Sequence, residues 1–183
     1  MQTPVSFTTL AALVVLAAGL TLASCGGKKA DTAHPITYRK DGLSFQMPGN
    51  WRVTEDASEE GIRYLFVEEP GDAIVVVQLL GADDALGIAE YARSFAEQAK
   101  EGTDVGTLSA STFSRAGEAG GYETLRETFH MTLLGVTVPH TRDYRRRLFG
   151  DQVCFLVAQV SDEDRGLVTG GFRLITSTLT YEP

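Results

Sequence analysis

A chain of 183 residues with 16 Lys and Arg against 24 Asp and Glu carries a formal charge of −8. That balance excludes a nucleic-acid binder built on clustered cations, and electrostatic adsorption to an anionic lipid surface, because both need an excess of Lys and Arg. Hydrophobic residues at 43% and charged residues at 22% fit one folded domain with an appendage and not a disordered chain.

The appendage is N-terminal. The first 24 residues contain no charged side chain. An apolar run at 10–22 is too short for a transmembrane helix, which needs about 20 apolar residues, and matches the core of a secretory signal. Met1-Gln2-Thr3-Pro4 lacks Lys and Arg, so an uncleaved anchor is the alternative reading. Leu22-Ala23-Ser24-Cys25 resembles the bacterial lipobox. The resemblance implies a diacylglycerol thioether on Cys25, cleavage of a 1–24 signal peptide between Ser24 and Cys25, and acylation of the new amino group, with palmitate as a label for the chains. Several chains are the physical point: a single myristoyl chain binds with an association constant of only about 10⁴ M⁻¹.

Residues 25–35 then read as the lipidated cysteine and a flexible tether, in which eight to ten residues span roughly 15–19 Å. The membrane, reached through this lipid, is one expected partner. Gly26 stands where Asp favours inner-membrane retention in lipoproteins of this kind, so the expected location is the outer membrane facing the periplasm, if the cell has two membranes. The second cysteine, Cys154, is left without a disulfide partner and reads as a small buried hydrophobe in "VCFLVAQV".

A single domain covers 36–183. Leu43, Phe45 and Met47 alternate after the turn pair Asp41-Gly42, and Pro48-Gly49-Asn50 turns the chain into Trp51, the only tryptophan. A strand at 63–69 turns at Pro70-Gly71-Asp72 into the apolar stretch 73–80, which, like 153–160, does not alternate and so reads as a central strand covered on both faces. From 83 to 100 the period becomes helical, with Ile88, Tyr91, Ala92, Phe95 and Ala99 on one stripe, Asp83 or Asp84 as cap and Gly102 as stop.

Strands at 111–118, 122–132 and 136–149 follow, separated by Gly120-Gly121 and Leu133-Leu134-Gly135. Pairing Thr132 with Thr137 sets Glu127 opposite Arg142 and Arg126 opposite Asp143, and gathers Leu125, Phe129, Met131, Val138 and Tyr144 on one face. A helix at 161–177 starts at Ser161 and Asp164, a capping-box-like pair, with Val168, Gly171, Phe172 and Ile175 at helical spacing. Gly170-Gly171 inside it costs about 1 kcal/mol per residue against Ala unless a close approach or a break compensates.

"DGLSFQMPGNWRV" near the front and "GGFRLITSTLTYEP" at the end resemble the PsbP-like family. That resemblance implies an α+β fold, an antiparallel sheet with amphipathic helices packed on both faces as an α/β/α sandwich. It implies assembly factors and binding modules more than enzymes, with no shared catalytic residues. Fold alone specifies little of function.

The residues offer no catalytic set, metal site or cofactor motif. His34 lies in the tether, and the proposed register points His130 and His140 to opposite faces. "DEDRG" at 162–166 misplaces the glycine of a calcium loop. The one basic cluster is "RDYRRRLF" at 142–149: Arg142 and Arg146 fall on one face, Arg145 and Arg147 on the other. These four read either as solvated or acid-paired charges or as a patch for an acidic partner or lipid head group. The expected function is a lipid-anchored, non-catalytic binding or assembly module with an envelope protein partner. The alternative is a small-ligand carrier or hydrolase with a pocket between sheet and helices.

Overall fold

The computed structural model describes residues 28–101 and 106–183. The signal segment, Cys25 with its cleavage position, Gly26 and the helix stop at Gly102 lie outside the described residues.

β5 (Ile74–Gly81) and β9 (Gln152–Ser161) lie side by side, antiparallel, at the centre of a seven-stranded sheet. Their alternate residues serve two cores. Val75, Val77, Leu79, Cys154, Leu156, Ala158 and Val160 face one side; Val76, Leu80, Val153, Phe155 and Val157 face the other. Continuous apolarity is thus the signature of burial on both faces, as the composition of these strands predicts. Outward from this pair run β4 (Ile62–Glu68) and β3 (Arg52–Glu59) on one flank, and β8 (Val136–Phe149), β7 (Tyr122–Leu133) and β6 (Thr107–Ala119) on the other. Every pairing is antiparallel.

β7 and β8 hold the predicted register: Thr132 pairs with Thr137, Glu127 with Arg142 and Arg126 with Asp143. The reversal is a two-residue turn in which Leu134 (φ 51°) and Gly135 (φ 81°) both take positive φ. That left-handed pair matches the right-handed twist of the flanking strands.

One helix covers each face. α1 (Ile88–Glu101) buries Tyr91, Ala92, Phe95, Ala96 and Ala99. Tyr91 stacks on Phe155 with ring centroids 3.8 Å apart, and its hydroxyl donates to Gln78 Oε1 at 2.8 Å. Full burial of each such side chain is worth about 1.5–3 kcal/mol. α1 starts later than expected. Asp83 and Asp84 lie in a separate 3₁₀ turn, Ala82–Asp84, tied to the β8–β9 turn by Ala82 N–H donating to Asp151 O at 2.8 Å. Ala85 is extended and, with Leu86, packs against the α1 core, so Gly87 O accepts the first helical bonds instead.

On the opposite face α2 (Arg165–Thr178) lies beside a second, three-stranded sheet of β1 (Ile36–Lys40), β2 (Leu43–Met47) and β10 (Thr180–Tyr181). Leu43, Phe45 and Met47 alternate into this core as predicted. Asp56, Arg63, Tyr38 and Lys40 tie the small sheet to the large one: Arg63 Nε donates to Asp56 Oδ1 at 2.9 Å and Tyr38 Oη to Asp56 Oδ2 at 2.5 Å.

The expected helix start at Ser161 is corrected. Ser161 is the last residue of β9, paired with His140, and Asp162 N–H donates to Pro139 O at 2.9 Å. Strand pairing therefore outcompetes the cap, and Asp164 flanks the helix without a side-chain bond. Gly171 has a packing reason: a Cβ there would meet the Trp51 ring at 2.6 Å and Pro48 Cγ at 2.8 Å.

The free tether is also corrected from Lys29 onward. Ala30 is buried at 6% exposure and its N–H donates to Leu167 O at 3.0 Å. Asp31 N–H donates to Asn50 Oδ1 at 2.8 Å, Asn50 Nδ2 to Lys29 O at 3.2 Å, and Gly49 N–H to Asp31 O at 3.0 Å. Residues 29–34 form a strap between α2 and the turn before Trp51, held by backbone groups that composition alone does not reveal.

Candidate functional site

The four arginines 142, 145, 146 and 147 do not form one surface patch. Strand alternation divides them, and α1 covers one outright: Arg142 is 1% exposed. Arg146 pairs with Glu123 at 3.1 Å. Arg147 lies over the rings of Tyr122 and Phe149, at 5.4 and 4.7 Å from their centroids. Only Arg145, half-buried on the α2 side, enters the cleft described below.

Arg142 centres a polar network between sheet and α1. Its Nη1 donates to Glu127 Oε2 at 2.8 Å and to Tyr144 Oη at 3.2 Å, while Nε and Nη2 both donate to Gln159 Oε1, at 2.8 and 2.6 Å. Tyr144 Oη and Ser111 Oγ donate to the Glu127 carboxylate at 2.7 and 2.6 Å. The guanidinium lies over Phe129 at 4.5 Å and Phe95 at 5.2 Å from the ring centroids. Burial pushes the Tyr144 hydroxyl far above its ordinary range, which keeps it a donor. Each charge is paired and hydrogen-bonded, the condition under which burial is tolerated. The register makes Glu127 and Arg142 partners; Ser111 enters through a bulge between Ser109 and Thr112, where Ala110 has φ 57°. No periodicity marks that bulge in the sequence.

The roomiest described site is on the other face. α2 packs on β2 and β9, and a cleft of about 310 Å³ opens between its flank and the outward strands. β7 contributes Arg126; β8 contributes Thr141, Asp143 and Arg145. Ala158 and Val160 of β9 form an apolar floor, and α2 adds Arg165, Thr169, Phe172, Arg173 and Thr176.

Arg126 holds Asp143 in a fork, Nε to Oδ1 at 2.6 Å and Nη2 to Oδ2 at 3.0 Å, and Arg165 Nη2 stands 4.0 Å from the same carboxylate. The guanidiniums of Arg145 and Arg173 make no hydrogen bond or ion pair among the described residues. At the rim, Thr141 Oγ1 donates to Asp162 Oδ1 at 2.6 Å. Four guanidiniums thus line the cleft with one carboxylate, Asp143, and Asp162 at its rim, in a protein whose overall charge is −8. Arg126, Arg145 and the α2 pair Arg165 and Arg173 come from three separate elements, so no local cluster announces the site.

Two smaller cavities under α1, about 30 and 20 Å³, are mostly apolar-lined. That is space on the scale of one or two waters. His130 and His140 occupy opposite faces, as the register requires, and His34 sits in the strap with Nδ1 3.1 Å from Asp31. His140 Nε2 is 3.7 Å from Asp72 Oδ2, but its Nδ1 contacts Val138 O at 3.1 Å, and the adjacent buried Ser161 Oγ has no hydrogen-bond partner among the described residues. Nothing there activates the hydroxyl, which would need a bonded base. Cys154 is fully buried, and burial pushes its thiol up to about 12.

Two apolar-backed layers on an antiparallel sheet, with one helix per face, define a PsbP-like α+β sandwich. The solution structure of cyanobacterial PsbP (CyanoP) from Synechocystis sp. PCC 6803 is similar with a TM-score of 0.54 and 12% sequence identity, covering 88% of this chain and 99% of that one. The crystal structure of LpqN, involved in cell envelope biogenesis of Mycobacterium tuberculosis, is similar at a TM-score of 0.43 and 15% identity, over 82% of this chain and 90% of that one. At such identities the likeness concerns the fold alone. No family model matches the chain, and no curated protein matches it in sequence.

Proposed function

We propose that the chain is a lipid-anchored envelope lipoprotein whose PsbP-like domain acts as a non-catalytic binding or assembly module at the membrane surface. The observation that carries the binding role is the arginine-lined cleft: polar, open, and without an activated nucleophile or base among its lining residues. The filled cores on both sheet faces support it, since they leave little room for a substrate beneath α1.

The anchor rests on Leu22-Ala23-Ser24-Cys25. With residues 29–34 strapped to α2, only four peptide units separate Cys25 from Lys29, a reach of at most about 14 Å. The domain would then stand closer to the bilayer than a free tether allows. Gly26 favours the outer membrane in a two-membrane cell, and an envelope protein partner remains part of the proposal. Metabolic labelling with palmitate tests the anchor. Incorporation in the wild type and its loss in Cys25→Ser, with release into the soluble fraction, is the expected result; equal incorporation in both chains refutes lipidation at Cys25. The cleft also favours a second reading, a carrier of a small anionic ligand, and the chemistry of that ligand can be argued further.

A further inference from the structure

We infer that the cleft between α2 and the β7–β8 strands binds a phosphate monoester, its phosphoryl oxygens held by Arg126, Arg145, Arg165 and Arg173 and its organic part lying on Ala158, Val160 and Phe172.

The argument begins with charge. Four guanidiniums line the cleft beside Asp143, and even with Asp162 at the rim counted they leave two positive charges in a chain whose total is −8. Gathering like charges in one cleft is unfavourable unless an anion compensates them. Asp143 satisfies Arg126 and stands at the edge of reach of Arg165. Arg145 and Arg173 have no carboxylate of their own among the described residues. The planar guanidinium fork matches carboxylate and phosphate oxygens. A monocarboxylate offers two oxygens and one charge, too few for four forks, whereas a phosphate monoester offers three strong acceptors and about −1.5 to −2 charge at neutral pH. The hydroxyl protons of Thr141 and Thr169 are already given to Asp162 Oδ1 and Arg165 O, both at 2.6 Å, so the guanidiniums supply the donors. A volume of about 310 Å³ lies at the small end of ligand pockets. It accommodates a head group and leaves no room for a protein segment.

The site is built from rigid elements. Arg126 and Arg145 come from paired strands, Arg165 and Arg173 from one helix two turns apart. Their backbone positions are therefore set before a ligand arrives, and the Arg126 guanidinium is further held by Asp143, which lowers part of the ordering cost of binding.

The monoester could be the head group of a lipid such as phosphatidic acid or a free phosphate ester. The inference deepens the binding-module reading and rests on it, but not on the anchor: the test uses the full chain in an uncharged detergent, so palmitate labelling can fail while this succeeds, or the reverse. Calorimetric titration with inorganic phosphate, and separately with short-chain phosphatidic acid in the same detergent, reads the affinity.

The expected result is saturable binding that weakens roughly tenfold for each guanidinium lost in Arg145→Gln and Arg173→Gln, with little change in the control Arg39→Gln/Arg93→Gln. Both control residues are exposed and outside the cleft, and their double substitution removes the same net charge as the cleft pair. The side chains of Arg145 and Arg173 make no bond among the described residues, so their replacement leaves the fold intact, which the melting temperature checks. Tighter binding of the lipid than of phosphate assigns the ligand to the membrane; equal binding assigns it to a soluble ester. Absence of binding to both probes, or equal weakening in the control, overturns the inference.

Discussion

Replacing Arg142 with Met strikes the most heavily bonded side chain in the interior. Arg142 is 1% exposed, as is Glu127, and its guanidinium gives four hydrogen bonds, to Glu127, Tyr144 and twice to Gln159. Removing one partner of a buried pair leaves an uncompensated charge and costs about 3–5 kcal/mol. Glu127 keeps the hydroxyls of Tyr144 and Ser111, which favours the lower end of that range. For a domain of this size each kcal/mol lowers Tm by about 2–4 °C, so the expected fall is roughly 6–20 °C. The double variant Arg142→Met/Glu127→Leu removes both charges and should be more stable than Arg142→Met alone by about 2 kcal/mol. Urea titration of wild type, both single variants and the double closes the cycle. A loss below about 1 kcal/mol in Arg142→Met, the scale of a surface pair, or a coupling near zero would refute the claim that this network acts as a buried unit.

Three further outcomes follow from local geometry. Gly171→Ala should lose about 1–3 kcal/mol in urea denaturation, because the added methyl meets Trp51 and Pro48; Gly170→Ala, whose Cβ would stand 3.5 Å from Thr32 Cγ2, should instead be neutral or gain up to about 1 kcal/mol of helix propensity. Equal effects would sink the close-approach explanation. Asp56 is a pH reporter: burial opposes its charge, but hydrogen bonds from Arg63, Lys40 and Tyr38 outweigh it and hold the carboxyl below its ordinary range. A group depressed in the folded state contributes stability above its unfolded pKa, about 3.9, and that contribution disappears as pH falls below it. Wild type should therefore lose stability more steeply than Asp56→Asn below about pH 4, measured as urea midpoint against pH; parallel curves would contradict it. Cys154, fully buried with its thiol pushed up to about 12, should react with a disulfide reagent only at the rate of global unfolding; rapid labelling of the native chain would show that the site opens locally.

Much of the architecture was legible in the chain because strands and helices leave periodic marks. The two non-alternating apolar stretches became β5 and β9, and the charge pattern of 122–149 predicted the β7–β8 register residue by residue. Errors fell where tertiary contacts override local preference. Ser161 looks like a helix cap but is held in β9 opposite His140. Asp83 and Asp84 look like a cap but occupy a separate turn, since Ala82 is bound to Asp151. Residues 29–34 look like a linker, and their order comes from bonds of their backbone to the Asn50 side-chain amide and to the Gly49 and Leu167 backbone.

By itself the sequence determined the order and faces of the main elements and the pairing of Glu127 with Arg142, and it is the sole ground of the proposed lipobox at Cys25; all of these depend on neighbours along the chain or across one hairpin. Tertiary structure alone decided that Arg142 lies in an interior network, and that Arg145 shares a cleft with Arg126, Arg165 and Arg173. The physical reason is range: periodicity encodes which face a side chain takes, whereas convergence of charges from two strands and a helix exists only once sheet and helix have packed.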